Sequence, residues 1–253
     1  MNDSHSDASY DPWAFLRRAT SARIALGRTG DALPTTRVLE FARAHARARD
    51  AVHTALDVQS LSAALADLAP TLVESCAANR TIYLQRPDLG CRLTEESRAA
   101  LKHGAYDAVI VLADGLSATA VQLHGGALCR DLQNRPDWRF APPVIARQAR
   151  VALGDEIAAA TGADLVIVLI GERPGLSASD SLGAYITFAP KPGATANAER
   201  NCISNIRPAG LALPEAARRI SAIMALARSL GRTGTELKED AALALTAPHK
   251  TKA

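Results

Sequence analysis

The feature that most constrains the fold is an unbroken apolar run over residues 165–170, followed directly by Gly-Glu-Arg-Pro-Gly at residues 171–175. A short apolar run rich in β-branched side chains is typical of a buried strand in a parallel sheet. The glycines and the proline end that strand and impose a turn. The sequence therefore predicts a carboxylate and a guanidinium on a stiff loop at the carboxyl end of a core strand, where open α/β sheets bind ligands.

The second half of the chain alternates strand and helix patterns. We expect strands at residues 106–113, 144–147, 165–170 and 184–188, and helices after residue 117 and over 154–161 and 215–230. Such alternation predicts βαβ units around a parallel sheet. Residues 190–213, rich in Pro, Gly and Asn, are expected to be irregular. The predicted class is thus α/β, with a Rossmann-like parallel-sheet domain over residues 104–253.

The first part of the chain is expected to be helical. Helical patterns cover residues 12–28, 38–56, 57–77 and 94–103, with a tight connector at 79–91 and Thr35 or Thr36 as a candidate cap. This gives a helical N-terminal region over residues 1–103. The polar faces of these helices are basic. Such a face either binds a phosphate or an acidic partner or is solvated. The arginines concerned are Arg17, Arg18, Arg23, Arg43, Arg47 and Arg49.

Composition excludes several function classes. The chain has 253 residues, a formal net charge of +3 and 4% aromatic residues, which is too little charge and too few rings to predict a nucleic-acid surface. The four cysteines are far apart and form no CxxC pair, so no zinc site is predicted and free thiols in a reducing compartment are expected. No apolar run is long enough to span a membrane. We therefore expect no metal site, no nucleic acid and no membrane contact.

Three loops should meet at one edge of the sheet, because successive parallel strands end on the same side. They are residues 114–117, 147–151 and 171–175, and residues 199–206 are expected to fold over them. The amides and hydroxyl of that last segment suit a ligand rich in amide and ribose groups. An ordinary loop, in which Asn and Ser satisfy their own backbone, explains the same residues equally well.

No self-contained catalytic set is apparent. Asp114 suits a metal or a ribose hydroxyl, but capping of the helix that follows is the favoured role. Cys202 has no histidine near it in sequence, which argues against a nucleophile. The sequence contains neither a GxGxxG fingerprint nor a Walker loop nor HExxH, and its six histidines show no ligand spacing. We therefore expect no catalytic residue in this chain.

Several motifs, in order along residues 12–230, resemble the small (light) subunit of ethanolamine ammonia-lyase, an adenosylcobalamin-dependent enzyme. The matching motifs are Thr-Ser-Ala-Arg-Ile at 20–24, Gly-Arg-Thr-Gly at 27–30, His-Ala-Arg-Ala-Arg-Asp at 45–50, Tyr-Leu-Gln-Arg-Pro-Asp-Leu-Gly at 83–90, Asp-Gly-Leu-Ser at 114–117, Gly-Glu-Arg-Pro-Gly-Leu at 171–176, Asp-Ser-Leu at 180–182 and Cys-Ile-Ser-Asn-Ile at 202–206.

The resemblance implies half of a lyase that converts ethanolamine to acetaldehyde and ammonia. In this family the large subunit is a TIM barrel that holds ethanolamine, and the small subunit closes over base-on cobalamin in a hetero-oligomer. Base-on binding fits His124-Gly125-Gly126, which lacks the upstream Asp of the Asp-x-His-x-x-Gly pattern. The family's cobalamin contacts fall on Val151, Glu172 and Cys202.

The resemblance also bears on the protein's location in the cell. The resemblance implies a cytoplasmic enzyme. Some relatives are packaged in a bacterial microcompartment through a longer N-terminal extension, which this chain is expected to lack. From the residues alone, a stand-alone Rossmann-like module that binds a nucleotide or a small metabolite remains open beside the lyase subunit.

Overall fold

A computed structural model of the chain describes residues 11–20, 22–26 and 33–237. Ser21 and residues 27–30, which belong to the motifs that carry the resemblance, lie outside the described residues. The described residues form an α/β structure built on one mixed sheet of six strands.

The sheet has the spatial order β1-β3-β2-β4-β5-β6. β1, β3, β2 and β4 are parallel to one another, whereas β5 runs antiparallel to β4 and β6 antiparallel to β5. The strands are β1 Thr71–Glu74, β2 Tyr106–Ala113, β3 Val144–Arg147, β4 Ala163–Gly171, β5 Leu182–Phe188 and β6 Asn201–Ile206.

The α-helices within the described ranges are α1 Ala14–Ala19, α2 Thr35–His53, α3 Val58–Ala64, α4 Arg80–Gln85, α5 Glu95–Ala100, α6 Ala118–Ala120, α7 Gly126–Gln133, α8 Leu153–Thr161 and α9 Leu213–Leu230. A π-helical turn, Val121–Gly125, joins α6 to α7 without a break. Within these ranges, no helix has the length and apolarity that crossing a membrane requires.

Both faces of the sheet are covered, as the continuous apolar runs require. Alternate residues of β2 point to opposite faces, so that Ile110 packs with α6, α7 and α9 while Val111 packs with α8. β4 divides in the same way, with Ile167 on the first face and Val168 on the second. Each such fully buried side chain contributes about 1.5–3 kcal/mol of transfer free energy.

The predicted core elements are confirmed, since β2, β3, β4, α8 and α9 lie where their patterns place them. The prediction of a wholly parallel sheet is wrong for β5 and β6. Residues 172–181, which connect β4 to β5, are too few for the crossover helix that a parallel pair needs. β6 occupies part of the segment expected to be irregular, because it completes an antiparallel meander with β5.

The first hundred residues also depart from the expected helices. β1 lies inside the helix predicted for residues 57–77 and pairs with β3, so the sheet begins before residue 104. α1 ends at Ala19 because Thr20 is extended and its hydroxyl accepts a hydrogen bond from the Ala22 amide at 3.1 Å. α2 begins at Thr35 behind Pro34, without a side-chain cap. The connector at 79–91 contains α4, which Asn79 caps.

A buried ion pair ties the antiparallel strands to the helix layer. The Arg200 guanidinium, just before β6, donates to both carboxylate oxygens of Asp155 in α8 at 2.7 Å. It also donates to the hydroxyl of Thr187 on β5 at 3.1 Å. The side chains of Arg200 and Asp155 are only 4% and 2% exposed, so the pair is removed from water.

We expect Arg200→Ala and Asp155→Ala each to lower the free energy of unfolding by about 3–5 kcal/mol, because each leaves the other charge buried without its partner. Urea unfolding measures the loss. Arg139→Ala, which breaks an exposed pair with Asp107, is the control and should cost less than about 1 kcal/mol. A loss as small as the control's in both buried variants would contradict the structural role given to this pair.

Candidate functional site

A cavity of about 460 Å³ opens where the parallel strands end. Its walls come from the segments that follow β2, β3 and β4, with one side chain from α4 and one from β5. The lining residues are Tyr83, Gly115, Leu116, Arg150, Val151, Ile170, Gly171, Glu172, Arg173 and Tyr185. This volume lies in the range of small-molecule sites. The three loops expected to meet at this edge therefore do meet there.

Two glycines bring the loops after β2 and β4 into backbone contact. Gly115 has a φ of +55°, and the next residue, Leu116, donates its amide to the Gly171 carbonyl at 2.9 Å. A Cβ at Gly115 would overlap that carbonyl, and a Cβ at Gly171 would overlap the Ser117 carbonyl. Only residues without a side chain allow this approach, which forms one wall of the cavity.

Glu172 is held from two sides. Its Oε2 accepts hydrogen bonds from the Ser181 hydroxyl and, at 3.2 Å, from the Asn205 amide. Asn205 has a φ of +57°, a left-handed conformation that Asn tolerates better than most residues. Among the described residues Oε1 has no hydrogen-bond donor, and Arg173 forms no ion pair with Glu172. Oε1 lies over Gly183 of β5, where an added Cβ would approach it to 3.1 Å, so one carboxylate oxygen keeps its accepting capacity.

Cys202 lies beside the cavity and does not line it. It is paired across the strands with Tyr185, which does line the cavity. Burial raises the pKa of Cys202, with Tyr185 opposing and Glu172 adding to the rise. A thiol of raised pKa is a poor nucleophile, in agreement with the sequence argument.

Tyr185 keeps its proton at neutral pH. Burial, together with the nearby Cys202 and Glu172, raises the pKa of its hydroxyl to about 12. The cavity therefore offers a carboxylate acceptor from Glu172, directly after β4, and a hydroxyl from Tyr185 on β5.

Asp114 does not cap the following helix, contrary to the sequence prediction. Ser117 has that role, since its hydroxyl accepts a hydrogen bond from the Ala120 amide. The buried Asp114 carboxylate instead accepts from the amides of Gln148 and Ala149 at 2.8 and 3.0 Å. Burial raises its pKa, although those amides and Arg80 oppose the rise. Asp114 thereby fixes the loop after β3 to the end of β2, with Gln148 at a φ of +53°.

Tyr83 and Arg150 form one wall of the cavity. The loop that contains Arg150 was expected at this edge, whereas Tyr83 was not assigned to the site. Tyr83 is fully buried and donates its hydroxyl to the Ala149 carbonyl at 3.0 Å. The guanidinium carbons of Arg80 and Arg150 lie 4.7 and 4.2 Å from its ring centroid. α4 is distant in sequence from the strand-end loops, so no local pattern signals this contact.

The residues expected to contact a cofactor lie in or beside the cavity. Val151 and Glu172 line the cavity and Cys202 adjoins it, so the structure brings the three expected residues to one edge of the sheet. Residues 199–206 do not fold over the loops, because residues 201–206 form strand β6 and residues 199–200 lead into it. Searched over the described ranges, His, Cys, Asp and Glu form no cluster that could hold a metal ion.

Fold and site together define an α/β protein with a cavity of mixed polar and apolar lining at the ends of its parallel strands. The family model described as "Ethanolamine ammonia-lyase light chain (EutC)" matches residues 10–238. Curated proteins named ethanolamine ammonia-lyase small subunit are similar over nearly their whole lengths. The protein of Pseudomonas syringae pv. tomato is 47% identical, over 96% of this chain and 88% of its own length. The protein of Rhodococcus erythropolis is 50% identical, over 90% of this chain and 90% of its own length. The chain belongs to the ethanolamine ammonia-lyase light-chain family.

We expect Gly115→Ala to destabilise the chain more than Gly193→Ala. Both glycines have positive φ, so each alanine carries a left-handed strain of about 1–2 kcal/mol. Only at Gly115 does the new methyl also meet the Gly171 backbone, whereas Gly193 has open space around its Cβ position. Urea unfolding of the two variants isolates the effect of the contact. Equal losses would show that the glycine contact does not shape the cavity wall.

Proposed function

We propose that this chain is the small subunit of an adenosylcobalamin-dependent ethanolamine ammonia-lyase. The complex would convert ethanolamine to acetaldehyde and ammonia, with the substrate held by the large subunit. The observation that carries the proposal is that Val151 and Glu172 line one cavity in a chain of this family, and that Cys202 is paired across the strands with Tyr185, which lines the same cavity.

The residues present fit part of a cobalamin. The corrin periphery carries neutral amides and the nucleotide carries a ribose, and such donors suit the Glu172 oxygen that has no donor among the described residues. Val151 and Leu116 give the same cavity apolar surface. The volume is well below that of a whole cobalamin, so the rest of the cofactor would lie against the large subunit. The parallel strands with α8 act here as a Rossmann-like unit.

Binding and orientation are the roles left to this chain. When bound, adenosylcobalamin supplies the radical chemistry through cleavage of its cobalt–carbon bond. Tyr185 keeps its proton, Cys202 has a raised pKa, and the described residues offer no metal cluster. In this proposal the large subunit supplies the acid or base that the reaction needs, and the loops of this chain shield one side of the cofactor from water. The four cysteines are free, which fits a reducing cytoplasm.

The N-terminal helices are the proposed contact with the large subunit. α2 is 19 residues long, yet Ala51 is its one buried residue. Large apolar side chains of this region are exposed, and exposed apolar clusters mark interaction surfaces. The exposed residues are Trp13, Phe15, Leu33, Val38, Leu39 and Phe41. Within the region expected as residues 1–103, we assign docking to the part before β1. Cofactor binding is assigned to residues 104–253 together with Tyr83 of α4.

We expect the purified chain to show no ammonia release from ethanolamine with adenosylcobalamin, and turnover to appear when the large subunit is added. The reason is the absence of a catalytic set in the described site. Turnover by the chain alone would sink the proposal. Tight binding of a nucleotide or another small metabolite without any assembly would favour a stand-alone binding module.

The docking surface is tested in the same reconstitution. We expect the double variant Leu39→Glu/Phe41→Glu to assemble poorly in gel filtration, because two charges replace apolar contacts on α2. Leu230→Glu at the end of α9 is the matched control, since that leucine is equally exposed. Undiminished assembly of the double variant would place the interface elsewhere.

We expect Glu172→Gln to weaken cobalamin binding by about ten- to a hundredfold, which corresponds to the loss of roughly 1.5–3 kcal/mol for one hydrogen bond to a charged acceptor. Turnover at saturating cofactor should remain near normal, because Glu172 orients the cofactor and moves no proton. Titration of the reconstituted complex and its saturated rate separate the two roles. Normal affinity with a collapse of 10²–10⁴-fold in turnover would make Glu172 an acid or base instead.

A further inference from the structure

Arg150 is fixed in place before any ligand is present. Its guanidinium stacks on the Tyr83 ring at 4.2 Å, and its Nη2 donates to the Tyr83 carbonyl at 3.2 Å. Its own amide donates to the Gly90 carbonyl at 2.8 Å. A Cβ at Gly90 would approach the Arg150 Cγ to 2.9 Å, so the absence of a side chain there lets Arg150 lie against the ring.

The positive charge of Arg150 has no counter-charge in the described part of the chain. Its Nε is buried and has no hydrogen-bond acceptor. The other buried or half-buried arginines near it differ. Arg80 donates to the carbonyls of Val52 and Gly115 and lies 3.9 Å from Asp114, and Arg200 is paired with Asp155. Arg80 Nη2 is likewise buried without an acceptor, so the missing carboxylate partner is what distinguishes Arg150 from Arg80. A half-buried guanidinium without a counter-charge is costly, which makes an anionic ligand the fitting partner for Arg150.

The ligand group that fits is an anion. Arg150 lines the cavity, and guanidinium is the side chain that best matches phosphate oxygens through a fork of N–H donors. Within a cobalamin the corrin amides are neutral, and the phosphodiester of the nucleotide loop carries the negative charge. Resting on the proposed function, we infer that Arg150 binds this phosphodiester, and that Tyr83 and Gly90 position its guanidinium for that contact.

The test measures binding and not turnover. Cyanocobalamin and cobinamide, a corrin without the nucleotide loop, are titrated against the reconstituted complex by absorbance. Arg150→Gln should weaken cyanocobalamin about ten- to a hundredfold and leave cobinamide nearly unchanged. Gly90→Ala keeps the charge of Arg150 but displaces its side chain. This variant should also lose affinity for cyanocobalamin and not for cobinamide, by a smaller factor than Arg150→Gln.

Two further comparisons separate a specific contact from general charge. Arg173 lines the same cavity but is exposed and makes no ion pair among the described residues, so Arg173→Gln should weaken cyanocobalamin by less than about threefold. The affinity of the wild-type complex for cyanocobalamin should fall with added salt more steeply than that of Arg150→Gln, because only the former has the charge pair.

The outcomes distinguish this inference from the proposed function. Equal weakening of cyanocobalamin and cobinamide by Arg150→Gln would overturn it, since the contact would then be to the corrin. Equal losses in the Arg150 and Arg173 variants would also overturn it, because general charge would suffice. A wild-type complex that binds neither corrin would instead refute the proposed function.

Discussion

The buried pair between Arg200 and Asp155 joins the two halves of the sheet, and the position of the candidate site depends on it. Asp155 lies in the first turn of α8, a few residues after Val151, and Arg200 precedes Cys202 on β6. The pair therefore fixes the antiparallel strands against the helix that follows β3. Both charges are removed from water, so replacing either residue leaves the other charge buried without a partner. The resulting loss is comparable to a large part of a domain's free energy of unfolding.

The cavity is formed by contacts of two different kinds. Backbone contacts set its shape, through Gly115 against Gly171 and through the Asp114 carboxylate that accepts the amides after β3. Side chains set its chemistry, with an acceptor from Glu172 and a cation from Arg150. Under the proposed function, such a site would take a ligand that presents both hydrogen-bond donors and an anion, and the role of the cavity would be to bind and orient it.

Much of this arrangement is readable from local patterns. β2 and β4 are long apolar runs that only a doubly covered strand explains, and Gly171 with Pro174 marks the turn after β4. The short β1 is missed because four residues carry too little periodicity to separate a strand from a helix. β6 is missed because its Asn and Ser content disfavours a strand, and pairing with β5 overrides that preference. The antiparallel direction of β5 could have been predicted, because the connection of residues 172–181 is too short for a parallel crossover.

The sequence by itself determined the α/β class and the strand-end loops, because apolar runs and glycine turns are local properties. The cofactor contacts expected at Val151, Glu172 and Cys202 came from the family resemblance and stay a prediction. Only the tertiary structure decided that Asp114 binds the loop after β3 instead of capping a helix, and that Tyr83 stacks under Arg150. These contacts join residues that are far apart along the chain. Their free energy comes from burial and from hydrogen bonds that exist once the sheet has assembled, so no local pattern encodes them.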